Sequence, residues 1–246
     1  MEQRWGSNVV VPAHAISRNV AGLSTGFETL DELTGTGGIP LHAITLLAGG
    51  ATSGKLTVAY KILVQAQNNA LTERRRSVGI LDLGGSTDPD YLVRAGVNLD
   101  RLLLVRPQMA KQALQVLLDL VRSRELRAIL VDSLPDLTID PEAAGAVEQM
   151  LPQVNLALKN ADCALLLLDE PQPAWLPLIA IGANRAVRHY ASLHIEFTRE
   201  GWIESDNELT GYRVQARLLK LRAQRNAEMA PISIVFDQTV RARKTW

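Results

Sequence analysis

The stretch GGATSGKLT, residues 49 to 57, lies between a short apolar run and a helical pattern, and that order is what most restricts the fold. HAITLLAGG (42–50) is apolar, carries β-branched residues and ends in glycines, while the residues from Lys55 to about Asn69 place apolar side chains at helical spacing. Strand, glycine-rich loop and helix in succession let backbone N–H groups turn inward around a phosphate while a helix N-terminus faces it. Gly49, Gly50, Ala51, Thr52, Ser53, Gly54 and Lys55 meet the pattern G-x-x-x-x-G-K, with the lysine placed to reach the outer phosphates of a nucleotide. A glycine-rich turn that happens to carry Lys55 is the competing reading, and the flanking strand and helix weigh against it.

One letter departs from the pattern. The position that should offer a hydroxyl to magnesium holds Leu56. Thr57 is next along, but one helical residue rotates a side chain by about 100°, so its hydroxyl is expected to point away from the metal. Asp132, near the end of RAILVDS (127–133), can still hold magnesium through water, as a carboxylate at a strand end does in this class of site. The expected cofactor is ATP or ADP, with magnesium held weakly or not at all.

SVGILDL (77–83), DRLLLVRP (100–107), RAILVDS and CALLLLDE (163–170) read as further buried strands. Between them lie a helix with Ala113, Val116, Leu117, Leu120 and Val121 on one face, and a helical stretch over 142–161 that Pro152 should break or kink. Strands alternating with helices predict an α/β fold, a mostly parallel sheet flanked by helices on both faces. From Ser192 the texture changes: SLHIEF, RVQARLLKL and PISIVF are partly alternating, with the turn-like ESDNELTG between the first two, and predict an antiparallel C-terminal extension of the sheet. One core domain over 23–240 is expected, between an N-terminal segment, 1–22, and a short basic tail, 241–246.

Composition removes several classes of function. Lys plus Arg and Asp plus Glu both count 26, so nothing in the bulk demands a polyanionic partner, and nucleic-acid binding would have to be local. The single cysteine, Cys163, sits in an apolar run and reads as a small buried hydrophobe. His14, His42, His189 and His194 have no metal-ligand spacing. No run approaches the roughly 18 apolar residues of a membrane span, and the first residues lack the apolar core of a signal peptide. The expected location is the cytoplasm, with no membrane partner.

Longer blocks carry a resemblance. LSTGFETLDELTGTGGIPLHAITLLAGGATSGKLT (23–57), ILDLGGSTDPDYLVRAGVNLDRLLLVRP (80–107), AILVDSLPDLT (128–138) and RAVRHYASLHIEFTR (185–199) look like the successive signature blocks of the bacterial RecA recombinase core. The order and approximate spacing run over nearly the whole chain. The resemblance implies a RecA-like P-loop NTPase fold and a set of roles. Asp88 and Tyr91 match adenine-contacting residues, with the Tyr91 ring stacking on the base, and Asp132 matches the second carboxylate of the phosphate site. The family's catalytic glutamate, which positions the attacking water, falls where this chain has Gly84, and glycine cannot act as a base. Lys220 and Arg222 match the basic pair that in RecA filaments reaches the neighbouring subunit's nucleotide, which implies a homo-oligomer; a solvated strand face is the alternative for both.

The segments that bind DNA in the family are altered. The region of the first DNA-binding loop, after Asp132, is shortened, and the second falls in EPQPAWLPLIAIGAN (170–184), apolar and proline-rich with no basic residue before Arg185. Trp175 can stack on a base or serve a partner or the core, and Arg185, Arg188 and Arg199 can contact phosphates. Asp169 and Glu170 replace a glutamine-type sensor, and the family's N-terminal helix and C-terminal domain are expected to be missing or cut short.

The chain is also similar to the ImuA group of short RecA-derived repair proteins around GFETLDEL and NLDRLLLVRP. The expectation is a RecA-like repair or recombination accessory of the SOS or translesion kind. It would bind ATP or ADP weakly or not at all, hydrolyse little, bind single-stranded DNA weakly, and act through a translesion polymerase, RecA or itself. The alternatives are an active DNA-stimulated ATPase, with Asp82, Asp169 or Glu170 taking over water activation, or a KaiC-like signalling ATPase, which shares GFETLDELTGTGGIP.

Overall fold

The computed structural model describes residues 22–68, 77–138, 141–171, 178–205, 208–221 and 228–236. Eight strands make one sheet: β1 (Ala43–Ala48), β2 (Ser77–Asp82), β3 (Leu102–Val105), β4 (Leu126–Asp132), β5 (Ala164–Asp169), β6 (Leu193–Ser205), β7 (Glu208–Leu221) and β8 (Met229–Val235). Their order across the sheet is β3-β2-β4-β5-β1-β6-β7-β8. The first six are parallel to their neighbours, and β7 and β8 are added antiparallel.

The parallel strands are apolar at nearly every position because helices cover both faces. Val78, Ile80, Ala128, Leu130, Leu166 and Leu47 point to one face and pack with α2 (Lys55–Asn68), while Ile44, Leu46, Ile129, Val131, Leu165 and Leu167 point to the other. That second face is covered by α4 (Ala110–Ser123), α5 (Leu134–Thr138), α6 (Pro141–Lys159) and α7 (Leu178–Tyr190). Two shorter helices, α1 (Glu28–Leu33) and α3 (Pro89–Ala95), add Leu30, Leu33 and Leu92 to the α2 side. The extension is buried on one face only, as antiparallel strands allow. Val214, Ala216 and Leu218 of β7 and Ile232 and Ile234 of β8 join the α2 cluster, while Arg213, Arg217 and Leu219 face outward.

Three features differ from the sequence reading. Helix α6 runs unbroken through Pro152, because Leu151, Val154 and Leu158 remain packed in the same layer as Ala144 and Val147 on the other side of the proline. The turn-like ESDNELTG is largely strand, with β6 reaching Ser205 and β7 starting at Glu208. Much of the apolar segment expected to be a loop before Arg185 is the start of α7, whose Ala183 and Val187 are buried. Cys163 is fully buried, as expected, and burial pushes its thiol up to about 12. No described helix is long and apolar enough to cross a membrane.

Leu166 lies on β5 between β4 and β1 and is fully buried. Leu166→Ala is expected to cost about 3 kcal/mol of folding free energy, read from the midpoint of urea unfolding; a loss below about 1 kcal/mol would mean the core collapses around the cavity.

Candidate functional site

The carboxyl ends of the central strands fall at one edge of the sheet. Ala48 of β1 pairs with Asp169 of β5, and Asp82 of β2 pairs with Asp132 of β4, so the glycine-rich loop leaves the sheet beside three strand-terminal carboxylates. Crevices of this kind, outside the carboxyl ends of parallel strands, are where ligands bind in open α/β sheets.

Residues 49 to 54 form the loop and Lys55 opens α2. Gly49 has φ +151°, and a Cβ there would lie 2.5 Å from Ser53 Oγ and 2.6 Å from the Phe197 carbonyl oxygen. Gly54 has φ +90°, and a Cβ there would lie 3.0 Å from both Ile234 and Val214. Both glycines are therefore required by backbone conformation and by close approach. Ser53 N–H donates to the Gly50 carbonyl at 3.1 Å and closes the turn. Nothing lies within 4 Å of a Cβ built on Gly50, so the outer wall of the loop is open.

Lys55 is buried to 6% side-chain exposure, and its ammonium is spoken for. It donates to the Gly50 carbonyl at 3.1 Å and to Glu170 Oε1 at 2.8 Å. Glu170 follows β5 directly, and its side chain is 45% exposed. Its backbone N–H donates to Asp169 Oδ1 at 2.9 Å; Asp169 is itself buried, which raises its carboxyl above the usual range against the pull of Arg188, whose Nη2 lies 3.5 Å from it.

Leu56 turns into the apolar cluster on the α2 face. Thr57, the neighbour, has its hydroxyl bonded to the Tyr91 hydroxyl and, at 3.1 Å, to the Tyr212 hydroxyl. The glycines thus fit a phosphate held by backbone N–H groups, while the position after Lys55 does not fit a magnesium ligand. Among the described residues no group of three or more His, Cys, Asp or Glu side chains is arranged to hold a metal ion.

Three of the chain's four tyrosines meet beside the loop. The Tyr91 ring lies 5.5 Å from that of Tyr60, and Tyr212 lies 6.1 Å from Trp202 and 6.0 Å from Phe236. Asp88 is the N-cap of α3, accepting from Asp90 N–H at 2.9 Å. Its Asp-Pro sequence suits both jobs, since proline is pre-set for the first helical position.

The carboxylates divide by environment. Asp82 is fully buried and accepts from the Ser86 and Thr87 N–H groups and from Arg106 Nε at 2.9 Å, so it holds the 83–87 turn. Asp132 is pushed up to about 6, first by burial and then by Asp82 and Asp136, with Lys55 pulling the other way. Gly84 lies in that turn; a Cβ built there would be 3.6 Å from Asp136 Oδ2, to which Ser133 Oγ donates at 2.8 Å.

The remaining predicted residues are spread away from the loop. Lys220 Nζ donates to the Arg188 and His189 carbonyls at 2.7 and 2.8 Å, capping the end of α7 within its own chain. Arg185 is exposed on α7, Arg188 is tied to Asp169, and Arg199 lies over the Trp202 ring at 4.8 Å. Arg222 and Trp175 lie outside the described residues. Sequence reasoning missed the Lys55–Glu170 pair, Arg106, Asp136 and Tyr212. The scarcity of tyrosines was the one available signal for the last.

The family model for the RecA N-terminal domain matches residues 1–161. Protein RecA of Aquifex pyrophilus is 27% identical over 263 residues, covering 98% of this chain and 72% of the relative. Protein RecA of Pseudomonas putida is 26% identical over 258 residues, with 98% and 71% covered. Protein RecA of Aquifex aeolicus (strain VF5) is 26% identical over 263 residues, with 98% and 73% covered.

A carboxyl raised from 3.8 to about 6 on folding holds its proton longer in the native than in the unfolded chain, so its contribution to stability falls as pH rises through that window. Asp132→Asn removes the effect. The melting temperature of Asp132→Asn relative to wild type is expected to climb between pH 4 and 7 and then level off; His194, held down to about 4 by burial beside Arg188 and Lys220, is common to both proteins and cancels. A flat difference across that range would count against the assignment.

Proposed function

The chain belongs to the RecA family, and on that premise we propose that it is an accessory of DNA repair or recombination, of the SOS or translesion kind, with a degenerate nucleotide site. In this reading it binds ATP or ADP weakly, hydrolyses little, and acts through partner proteins: a translesion polymerase, RecA or a second copy of itself.

The observation that carries the reading is the state of the three groups a nucleoside triphosphatase of this class depends on. The lysine that should neutralise the outer phosphates is paired with Glu170; a partly buried leucine packed against the apolar cluster stands where a hydroxyl would complete a magnesium shell; and Gly84 stands where the resemblance puts the water-positioning carboxylate. Positioning and charge stabilisation are nearly all that protein groups contribute to phosphoryl transfer, so losing two contributors and occupying the third removes most of the advantage over water. The backbone cradle of Gly49 to Gly54 remains, which supports retained binding of a phosphate-bearing ligand. Partner binding is favoured over tight DNA binding by the zero net charge and by the pairing of Arg188 and Lys220 within the chain.

A second reading, a DNA-stimulated ATPase, has one observation in its favour. Of the carboxylates near the loop, Asp82 and Asp169 are buried with their own partners and Glu170 is bound to Lys55, but Asp136 is exposed and faces the Gly84 turn. It ranks second because Asp136 already accepts from Ser133.

Steady-state phosphate release, with and without single-stranded DNA, separates the two. The wild type is expected to show none above background. Gly84→Glu combined with Leu56→Thr is expected to raise turnover by about tenfold or more, since a Cβ at Gly84 meets only ordinary contacts. DNA-stimulated turnover by the wild type that Asp136→Asn abolishes would overturn the accessory reading in favour of the ATPase.

A further inference from the structure

We propose that the Glu170 carboxylate is a built-in stand-in for the terminal phosphate of a nucleoside triphosphate, so that the loop selects nucleoside diphosphates. This rests on the reading of residues 49 to 55 as a nucleotide site and adds which nucleotide the site prefers.

Lys55, the cation that opens α2 beside the loop, has little freedom. Its side chain is 6% exposed, one donor goes to the Gly50 carbonyl and another to Glu170 at 2.8 Å. The lysine of a phosphate loop reaches the β- and γ-phosphates, whereas the backbone N–H groups cradle the inner ones. Glu170 therefore approaches Lys55 from the carboxyl end of β5, the strand that pairs with β1 residue for residue up to Ala48 and Asp169. The loop itself is open at Gly50, where a Cβ would meet nothing within 4 Å. A diphosphate seated on the backbone N–H groups can accept the third N–H donor of Lys55 and leave the ion pair in place. A third phosphate needs the position that the carboxylate holds.

Displacing Glu170 is made unfavourable by what surrounds it. Its backbone is anchored through Asp169 Oδ1, so the side chain can swing but its root cannot retreat. Glu170 already raises the neighbouring Asp132 carboxyl together with Asp82 and Asp136, so bringing a further anion to Lys55 adds negative charge to an acidic crevice. A triphosphate thus exchanges one anion for another at the lysine and gains little from the exchange. With a leucine in place of the metal hydroxyl, magnesium is poorly placed to relieve that repulsion.

The test is equilibrium titration of the full chain with fluorescent ADP and ATP, with and without magnesium, for wild type, Glu170→Gln and Glu170→Ala, with phosphate release measured on the same samples. The wild type is expected to bind ADP about tenfold or more tighter than ATP. Glu170→Gln keeps the shape and removes the charge, and is expected to raise ATP affinity about tenfold while changing ADP affinity less than about threefold; Glu170→Ala, which cannot hold Lys55 at all, should do the same. Equal affinity of the wild type for ADP and ATP, or variants that change both nucleotides alike, overturns the inference. ATP hydrolysis by the wild type overturns the non-hydrolysing reading without touching the preference, and absence of nucleotide binding by all three proteins overturns the preference together with the reading of residues 49 to 55 as a nucleotide site.

Discussion

Parallel registration of four central strands is the constraint on which everything else depends. β2, β4, β5 and β1 end together, so the edge of the sheet presents Asp82, Asp132, Asp169 and the start of the glycine loop within one crevice. A shift of one residue in any strand would send its apolar set to the wrong face and move its terminal carboxylate out of the group. The burial of both sheet faces, with leucine, isoleucine, valine and alanine at nearly every position, is what holds that register. The acidity of the crevice follows from the packing, since each strand has to end somewhere and three of them end on aspartate.

Placed against those carboxylates, the loop is a cationic point in an acidic setting. Lys55, Arg106 and Arg188 each answer one nearby carboxylate: Glu170, Asp82 and Asp169. Asp132 is the one left with burial and like charges as its main influences, and its proton is held accordingly. Three of the carboxylates are thus balanced inside the chain by side chains, and Asp132 is not.

The strands and most helices were legible in the sequence because their signals are local: apolar runs bounded by glycine and proline, and helical spacing after Lys55 and over 113–121. The antiparallel extension was legible from its alternation, though its strand ends were not, since Glu204 and Glu208 read as turn residues and are held in strand by the β6–β7 ladder. The loop, the departure at Leu56 and the different direction of the Thr57 side chain also followed from spacing alone. What could not be read was pairing. Glu170 and Lys55 are 115 residues apart, and Thr57 and Tyr212 are 155 apart, so nothing in a local window joins them. The Lys220 contact is of the same kind: its match to a basic pair says nothing of the α7 carbonyls that accept from it.

The last such contact bears on how the chain assembles. Gly54 is walled by Val214, Tyr212 and Ile234, and Thr57 is bonded to a phenol on β7, so residues near the end of the chain form one side of a loop encoded near its beginning. Closing contacts across that separation carries a loop-entropy cost that local helices and strands do not. The wall behind Gly54 is therefore complete only when β7 and β8 are docked. A nascent chain still lacking those two strands holds the residues of the parallel core and of the loop's own turn, yet not the side chains that wall Gly54 and bond Thr57.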